Sequence, residues 1–176
     1  MTHSATAVLP AIVMAVLWSL PAIAAPDAAG LLDPIAEKPE APGFELKGAD
    51  GKTYRLADMR GQPVIVNFWA TWCPPCRAEM PAMQRAWEQL KDEGIMLVAV
   101  NAGDSEGEIA AFVEHMQVSF PLPMDTNMQV TQSWPLKGLP TTFVVDPQGR
   151  LVYRAQGERE WDDAALLDLV RALRRQ

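Results

Sequence analysis

The chain has 176 residues, 49% of them hydrophobic, with two cysteines and a formal net charge of -7. That length suits one domain and excludes a multi-domain machine, and two cysteines make at most one bridge, which excludes a disulfide-stapled miniprotein. All 22 acids lie at Asp27 or later and outnumber the 15 Lys and Arg, so the clustered basic surface that nucleic acid requires is missing and no nucleic-acid partner is expected.

No Lys, Arg, Asp or Glu precedes Asp27, and Thr6 and Ser19 are the only polar residues in the 21 from Ala5 to Ala25. Residues 1–24 therefore read as a signal peptide, with Ala22 and Ala24 as the small residues of an A-x-A cleavage site. An uncleaved membrane anchor is the competing reading, since 21 helical residues span roughly 30 Å. Pro10 and Pro21 leave only Ala11 to Leu20 as an uninterrupted helical run, which suits a signal segment better. Either reading carries the domain across a membrane, to the periplasm or the extracytoplasmic side of the envelope. Contact with the membrane itself is expected only if the segment stays attached.

Residues 25–41 are rich in Ala, Pro and acids without apolar periodicity, and read as a tether; the domain proper is assigned to 42–176. Asp50-Gly51 reads as a turn into a short strand over 51–56. Pro63 to Ala70, a β-branched and aromatic run, has the mark of a buried strand. Met80, Met83, Trp87 and Leu90, at spacings of 3, 4 and 3, predict a helix over 77–91 that Gly94 ends. Ile95 to Val100 is a second buried strand, followed by helices over 106–116 and 126–134. Asp104, Glu106 and Glu108 read as ordinary helix-start charges, and His115 as a helix-surface residue. Thr141 to Asp146 and Arg150 to Ala155 flank the turn Asp146-Pro-Gln-Gly149 and form a hairpin, and 162–175 is an amphipathic closing helix. The order predicts an α/β fold, a mixed β-sheet flanked by helices.

Cys73-Pro-Pro-Cys76 is the one place with evident reactive chemistry. Cysteines at i and i+3 beside a strand-to-helix junction are the signature of a redox-active dithiol. Side chains three apart in a helix lie about 5–6 Å apart at Cβ, whereas a disulfide needs about 3.5–4.5 Å, so Cys73 is placed at the N-cap, where non-helical backbone closes the gap. The helix N-terminus favours the thiolate of Cys73. Pro74 and Pro75 lack N–H groups, so the first local donor to the Cys73 sulfur is the N–H of Cys76. The expected result is a thiol pKa lowered only moderately from about 8.5 and a reducing couple. A structural disulfide would close too small a loop to constrain the chain much. A zinc site lacks ligands, since His3 and His115 are isolated. No metal and no cofactor are expected.

The run from Val64 through Asn67-Phe-Trp-Ala-Thr-Trp-Cys-Pro-Pro-Cys76 to Pro81, with Gly138-Leu-Pro-Thr-Thr-Phe-Val-Val-Asp146, resembles the thioredoxin superfamily, in particular its exported TlpA/ResA-like branch. The resemblance covers 42–176 and implies a thioredoxin-like sheet. It implies that Cys73 is the exposed attacking cysteine and Cys76 the buried resolving one. It also implies a cis peptide at Leu139–Pro140, facing the sulfurs and offering a backbone edge to substrate. Pro81 matches the proline inside the superfamily's active-site helix. Asn67 stands where general thioredoxins carry a buried acid, whereas Glu79 matches the acid of the TlpA/ResA-like branch. Glu79 is therefore expected to handle protons for the dithiol; the alternative is an exposed helix glutamate. Trp72 is expected to form an apolar rim around Cys73, Trp69 either rim or packing, and Trp87, Trp134 and Trp161 core or groove.

These residues predict a thiol–disulfide oxidoreductase acting mainly as a disulfide reductase on cysteine pairs of exported proteins. The resemblance suggests apocytochrome c or a copper-site protein as substrate, and a membrane thiol electron donor as partner. A thiol peroxidase is a rival, but position 70 is Ala where a P-x-x-x-T-x-x-C context has Thr. A copper metallochaperone is another, but related carriers use a C-x-x-x-C pair, one residue longer.

Overall fold

The computed structural model describes Met1 and residues 30–175. The signal or anchor reading of 1–24 lies outside the described residues apart from Met1.

A six-stranded mixed sheet forms the centre. In chain order its strands are β1 (Asp33–Pro34), β4 (Val64–Trp69), β5 (Met96–Ala102), β6 (Met124–Asp125), β7 (Thr141–Val145) and β8 (Leu151–Gln156). They lie in the spatial order β1-β8-β7-β4-β5-β6. β4, β5 and β6 run parallel, and the β4–β7, β7–β8 and β8–β1 pairs are antiparallel. A separate two-stranded ribbon joins β2 (Glu45–Lys47) to β3 (Thr53–Arg55). Among the described residues, four α-helices accompany the sheet: α1 (Pro74–Leu90), α2 (Glu106–Met116), α3 (Gln129–Ser133) and α4 (Ala164–Ala172).

β4 and β7 are buried along their whole length, which is why both read as continuous apolar runs. Their alternating side chains feed two cores. Ile65 and Trp69 of β4, Leu97 and Ala99 of β5 and Val144 of β7 pack with Met80, Met83, Ala86 and Leu90 of α1 and Leu166, Leu167 and Val170 of α4. Val64, Val66 and Phe68, with Val98, Val100 and Phe143, pack on the other face with Phe44, Leu56, Met59 and Trp134. Period-two alternation puts Asn67 on the same face as Ile65 and Trp69, toward α1.

α1 starts at Pro74, three residues before the start predicted at 77, because proline is tolerated at the first helical positions. It continues through Pro81, whose missing N–H costs one internal bond. Gly94, at φ +70°, ends the 3₁₀ turn that follows α1. Asp163 caps α4 by accepting from the N–H groups of Ala165 and Leu166.

The tether reading of 25–41 does not extend to 31–41, which pack against the sheet. β1 pairs with β8, the Ile35 N–H donates to Val152 O and the Ala41 N–H donates to Gly149 O. Leu32 is buried in the core under α1 and α4. A two-residue strand and a few scattered apolar side chains leave no periodicity to read, so only the sheet edge reveals this strap.

Candidate active site

β4 ends at Trp69, and the turn Ala70-Thr71-Trp72 delivers Cys73 to the start of α1. Cys73 has extended backbone, φ -91° and ψ 105°, as the N-cap residue. It is disulfide-bonded to Cys76, with S–S 2.05 Å and Cα–Cα 5.3 Å. The Cys76 N–H donates to Cys73 Sγ at 3.3 Å, the contact that two consecutive prolines leave as the first local one. Cys76 is fully buried and Cys73 only 3% exposed. In the disulfide form, the sulfur that the resemblance reads as exposed thus offers only a narrow edge to solvent. Trp72 beside it is 68% exposed, a large apolar surface next to the reactive pair.

Trp69 is packing rather than rim. Its ring is buried, lies 4.5 Å from that of Phe112 between centroids, and donates Nε1–H to Ala99 O. Leu139–Pro140 is the one cis peptide among the described residues, and it leads directly into β7. The Pro140 carbonyl accepts from the Gly157 N–H at 2.9 Å.

Glu79 lies one helical turn after Cys76, on the same side of α1, and is only 2% exposed. Three donors converge on its carboxylate. Asn67 Nδ2 reaches Oε1 at 2.8 Å, while Trp161 Nε1 and the Arg159 N–H reach Oε2 at 3.0 and 3.2 Å. Asn67 also donates to Thr142 Oγ1 at 2.8 Å, because the two residues are direct partners across the β4–β7 ladder. Burial disfavours the charged carboxylate and pushes Glu79 up to about 7, although the bonds from Trp161, Asn67 and Arg159 pull the other way. A buried acid titrating near neutrality beside a dithiol can give and take a proton at physiological pH.

Asp104 is not an ordinary helix-start charge. It is buried, and it accepts from the Thr71 N–H at 2.6 Å and from Asn101 Nδ2 at 2.7 Å. It therefore pins the turn that carries Trp72 and Cys73, whereas the capping of α2 falls to Ser105 and Glu108. Sequence spacing could not distinguish Asp104 from its neighbours, since Thr71 lies 33 residues away. Asp104→Ala leaves the Thr71 N–H and the Asn101 amide without this acceptor, and is expected to cost about 1–3 kcal/mol in urea unfolding. A loss below about 0.5 kcal/mol, the range of ordinary surface changes, would remove the pinning role. His115 is exposed on α2, and among the described residues no three His, Cys, Asp or Glu side chains cluster to hold a metal ion.

Residues 38–154 match the AhpC/TSA family model, a span that includes β4, the cysteine pair, Glu79 and the cis-proline strand. The chain belongs to the AhpC/TSA family. Within it, the chain is similar to thiol-disulfide oxidoreductases named ResA. It is 40% identical over 118 residues to the thiol-disulfide oxidoreductase ResA of Bacillus subtilis, an alignment covering 67% of this chain and 66% of that protein. The chain thus spans about two thirds of the length of that curated relative. Among solved structures, a putative thiol:disulfide interchange protein DsbE from Chlorobium tepidum is 32% identical, with TM-score 0.72 over 81% of this chain and 99% of that one. A secreted thiol-disulfide isomerase from Corynebacterium glutamicum is 26% identical, with TM-score 0.72 over 86% and 95%. The AhpC/TSA protein accordingly has a thioredoxin-like fold.

Proposed function

We propose that the protein is an extracytoplasmic disulfide reductase acting on cysteine pairs of other exported proteins. The observation that carries this reading is the Cys73–Cys76 disulfide at the start of α1, with one backbone N–H on the Cys73 sulfur and a buried Glu79 a turn behind. One local donor, with no His between the cysteines, stabilises the thiolate only moderately, so the reduced form is less favoured than in a strong oxidant.

The cycle balances as follows. The Cys73 thiolate attacks one sulfur of a substrate disulfide, forming a mixed disulfide and releasing the other substrate sulfur as a thiolate. Cys76 gives up its proton, with Glu79 as the acceptor, and attacks Cys73 Sγ. The second substrate sulfur leaves, the substrate holds two thiols, and Cys73–Cys76 is oxidised by two electrons. A membrane-borne dithiol donor restores the reduced pair. Trp72, Leu139 and Pro140 form the substrate groove. Since the Pro140 carbonyl is occupied by Gly157, a substrate strand pairs with the backbone of Leu139.

The apolar start of the chain supports an extracytoplasmic site, as a signal peptide or a membrane anchor, and the Corynebacterium relative is itself described as secreted. Cytochrome c maturation or copper-site assembly is the setting that such a reductase would serve, because both need reduced cysteines where pairs tend to oxidise. Equilibration with glutathione or dithiothreitol buffers, read by tryptophan fluorescence, tests the direction of electron flow. A potential of about -200 mV or lower is expected, and one near the strongly oxidising value of about -120 mV would turn the reading into an oxidase.

A further inference from the structure

Glu79 is buried, yet it lines the floor of a cleft of about 400 Å³ that contains neither cysteine. The cleft walls are Leu31 of the N-terminal strap, Ala78 of α1, and Glu158, Arg159, Glu160 and Asp163 of the segment between β8 and α4. Arg159 joins these walls. Its backbone N–H donates to Glu79 Oε2 at 3.2 Å. Its guanidinium donates from Nε to Leu31 O at 3.1 Å, and from Nη1 to Gln156 O at 3.0 Å and Glu158 O at 2.9 Å. Two residues on, Trp161 supplies the other donor to the same carboxylate oxygen.

We propose that Arg159 is a positioning residue for Glu79, its guanidinium clamping the β8–α4 loop to the Leu31 strap so that the loop presents both the Arg159 N–H and the Trp161 indole to the buried carboxylate. The inference rests on the proton-handling reading of Glu79 and deepens it. The clamp requires the planar fork of arginine, which reaches four carbonyls, of Leu31, Gln156, Gly157 and Glu158, on two separate segments, whereas a lysine ammonium is a point donor. The remaining groups around Glu79 are accounted for. Asn67 of β4 holds Oε1 and is itself paired with Thr142 of β7, while Cys76 precedes Glu79 by one turn. Glu158 adds a like charge that disfavours the carboxylate, Glu160 lies 4.0 Å from Arg85, and Asp163 caps α4. Loosening the loop withdraws donors from the charged form, so Glu79 should hold its proton to higher pH.

The test uses the full chain with Arg159→Ala and Arg159→Lys. Glu79's own titration is followed by carboxyl ¹³C NMR, assigned through Glu79→Gln, beside the pH profile of disulfide exchange. Both variants are expected to move the Glu79 midpoint upward by about half a pH unit or more. An unchanged or lowered midpoint overturns the clamp, as does a lysine variant matching wild type, which would make positive charge alone sufficient. The lysine variant decides the matter if the alanine variant does not fold. If Glu79→Gln leaves the exchange profile unaltered, the proton-handling reading fails, and the carboxyl titration still reports on Arg159 independently.

Discussion

Cys73→Ser is expected to reduce disulfide-exchange turnover to the rate of buffer alone, and Cys76→Ser to accumulate one mixed disulfide per chain. The asymmetry follows from position. Cys73 is the N-cap, beside the exposed Trp72 and bonded by the only N–H that two prolines leave nearby, so it carries the attack. A serine hydroxyl is not ionised at neutral pH and cannot replace the thiolate. Cys76 is fully buried, so its task is to attack Cys73 Sγ once the substrate is attached. Without it the first half of the cycle still runs and the second half cannot. Mass spectrometry of each variant with a disulfide-bonded peptide distinguishes the two outcomes. Mixed disulfide on Cys73→Ser through Cys76, or none on Cys76→Ser, would reverse the assignment of roles.

Glu79→Gln is expected to make the oxidised protein more stable than wild type at pH 8, by up to about 3 kcal/mol, while the two converge near pH 4. The sign follows from the direction of the shift. Burial raises Glu79 from its ordinary 4.5 to about 7, so the folded protein binds this proton more tightly than the unfolded chain does. The stabilisation is complete below about pH 4.5 and is lost as pH rises through about 7. Glutamine never ionises and so does not lose it. The site also accommodates the amide. A glutamine oxygen can accept from Trp161 and Arg159, while its NH₂ takes the place of the Oε1 that accepts from Asn67 Nδ2, a fit that requires the Asn67 amide to turn over and present Oδ1 there. Urea unfolding of oxidised wild type and variant at pH 5 and pH 8 measures the difference, and equal slopes with pH would show that Glu79 ionises as an ordinary surface acid. The same substitution should flatten the pH profile of disulfide exchange around neutrality.

Much of the fold is legible along the chain because local rules suffice there. β4, β5 and β7 appear as apolar runs, α2 as a helix over 106–116, and the β7–β8 hairpin is announced by Asp146-Pro-Gln-Gly149. β1, β2 and β6 are two or three residues long and carry no periodicity, so only their pairing partners make them strands.

The site divides along the same line. Read alone, the amino-acid sequence determined the reactive pair, its place at the head of a helix and the single N–H left by Pro74 and Pro75, because all of these depend on neighbours within four residues. Tertiary structure decided the surroundings of Glu79. Its burial, and the donors from Asn67, Arg159 and Trp161, come from β4 and from a loop 80 residues away. Asp104 acquires its hold on Thr71 in the same way. The physical reason is desolvation and convergence: what an acid does depends on the water removed from it and the donors aimed at it, and distant segments supply both only once the sheet has formed.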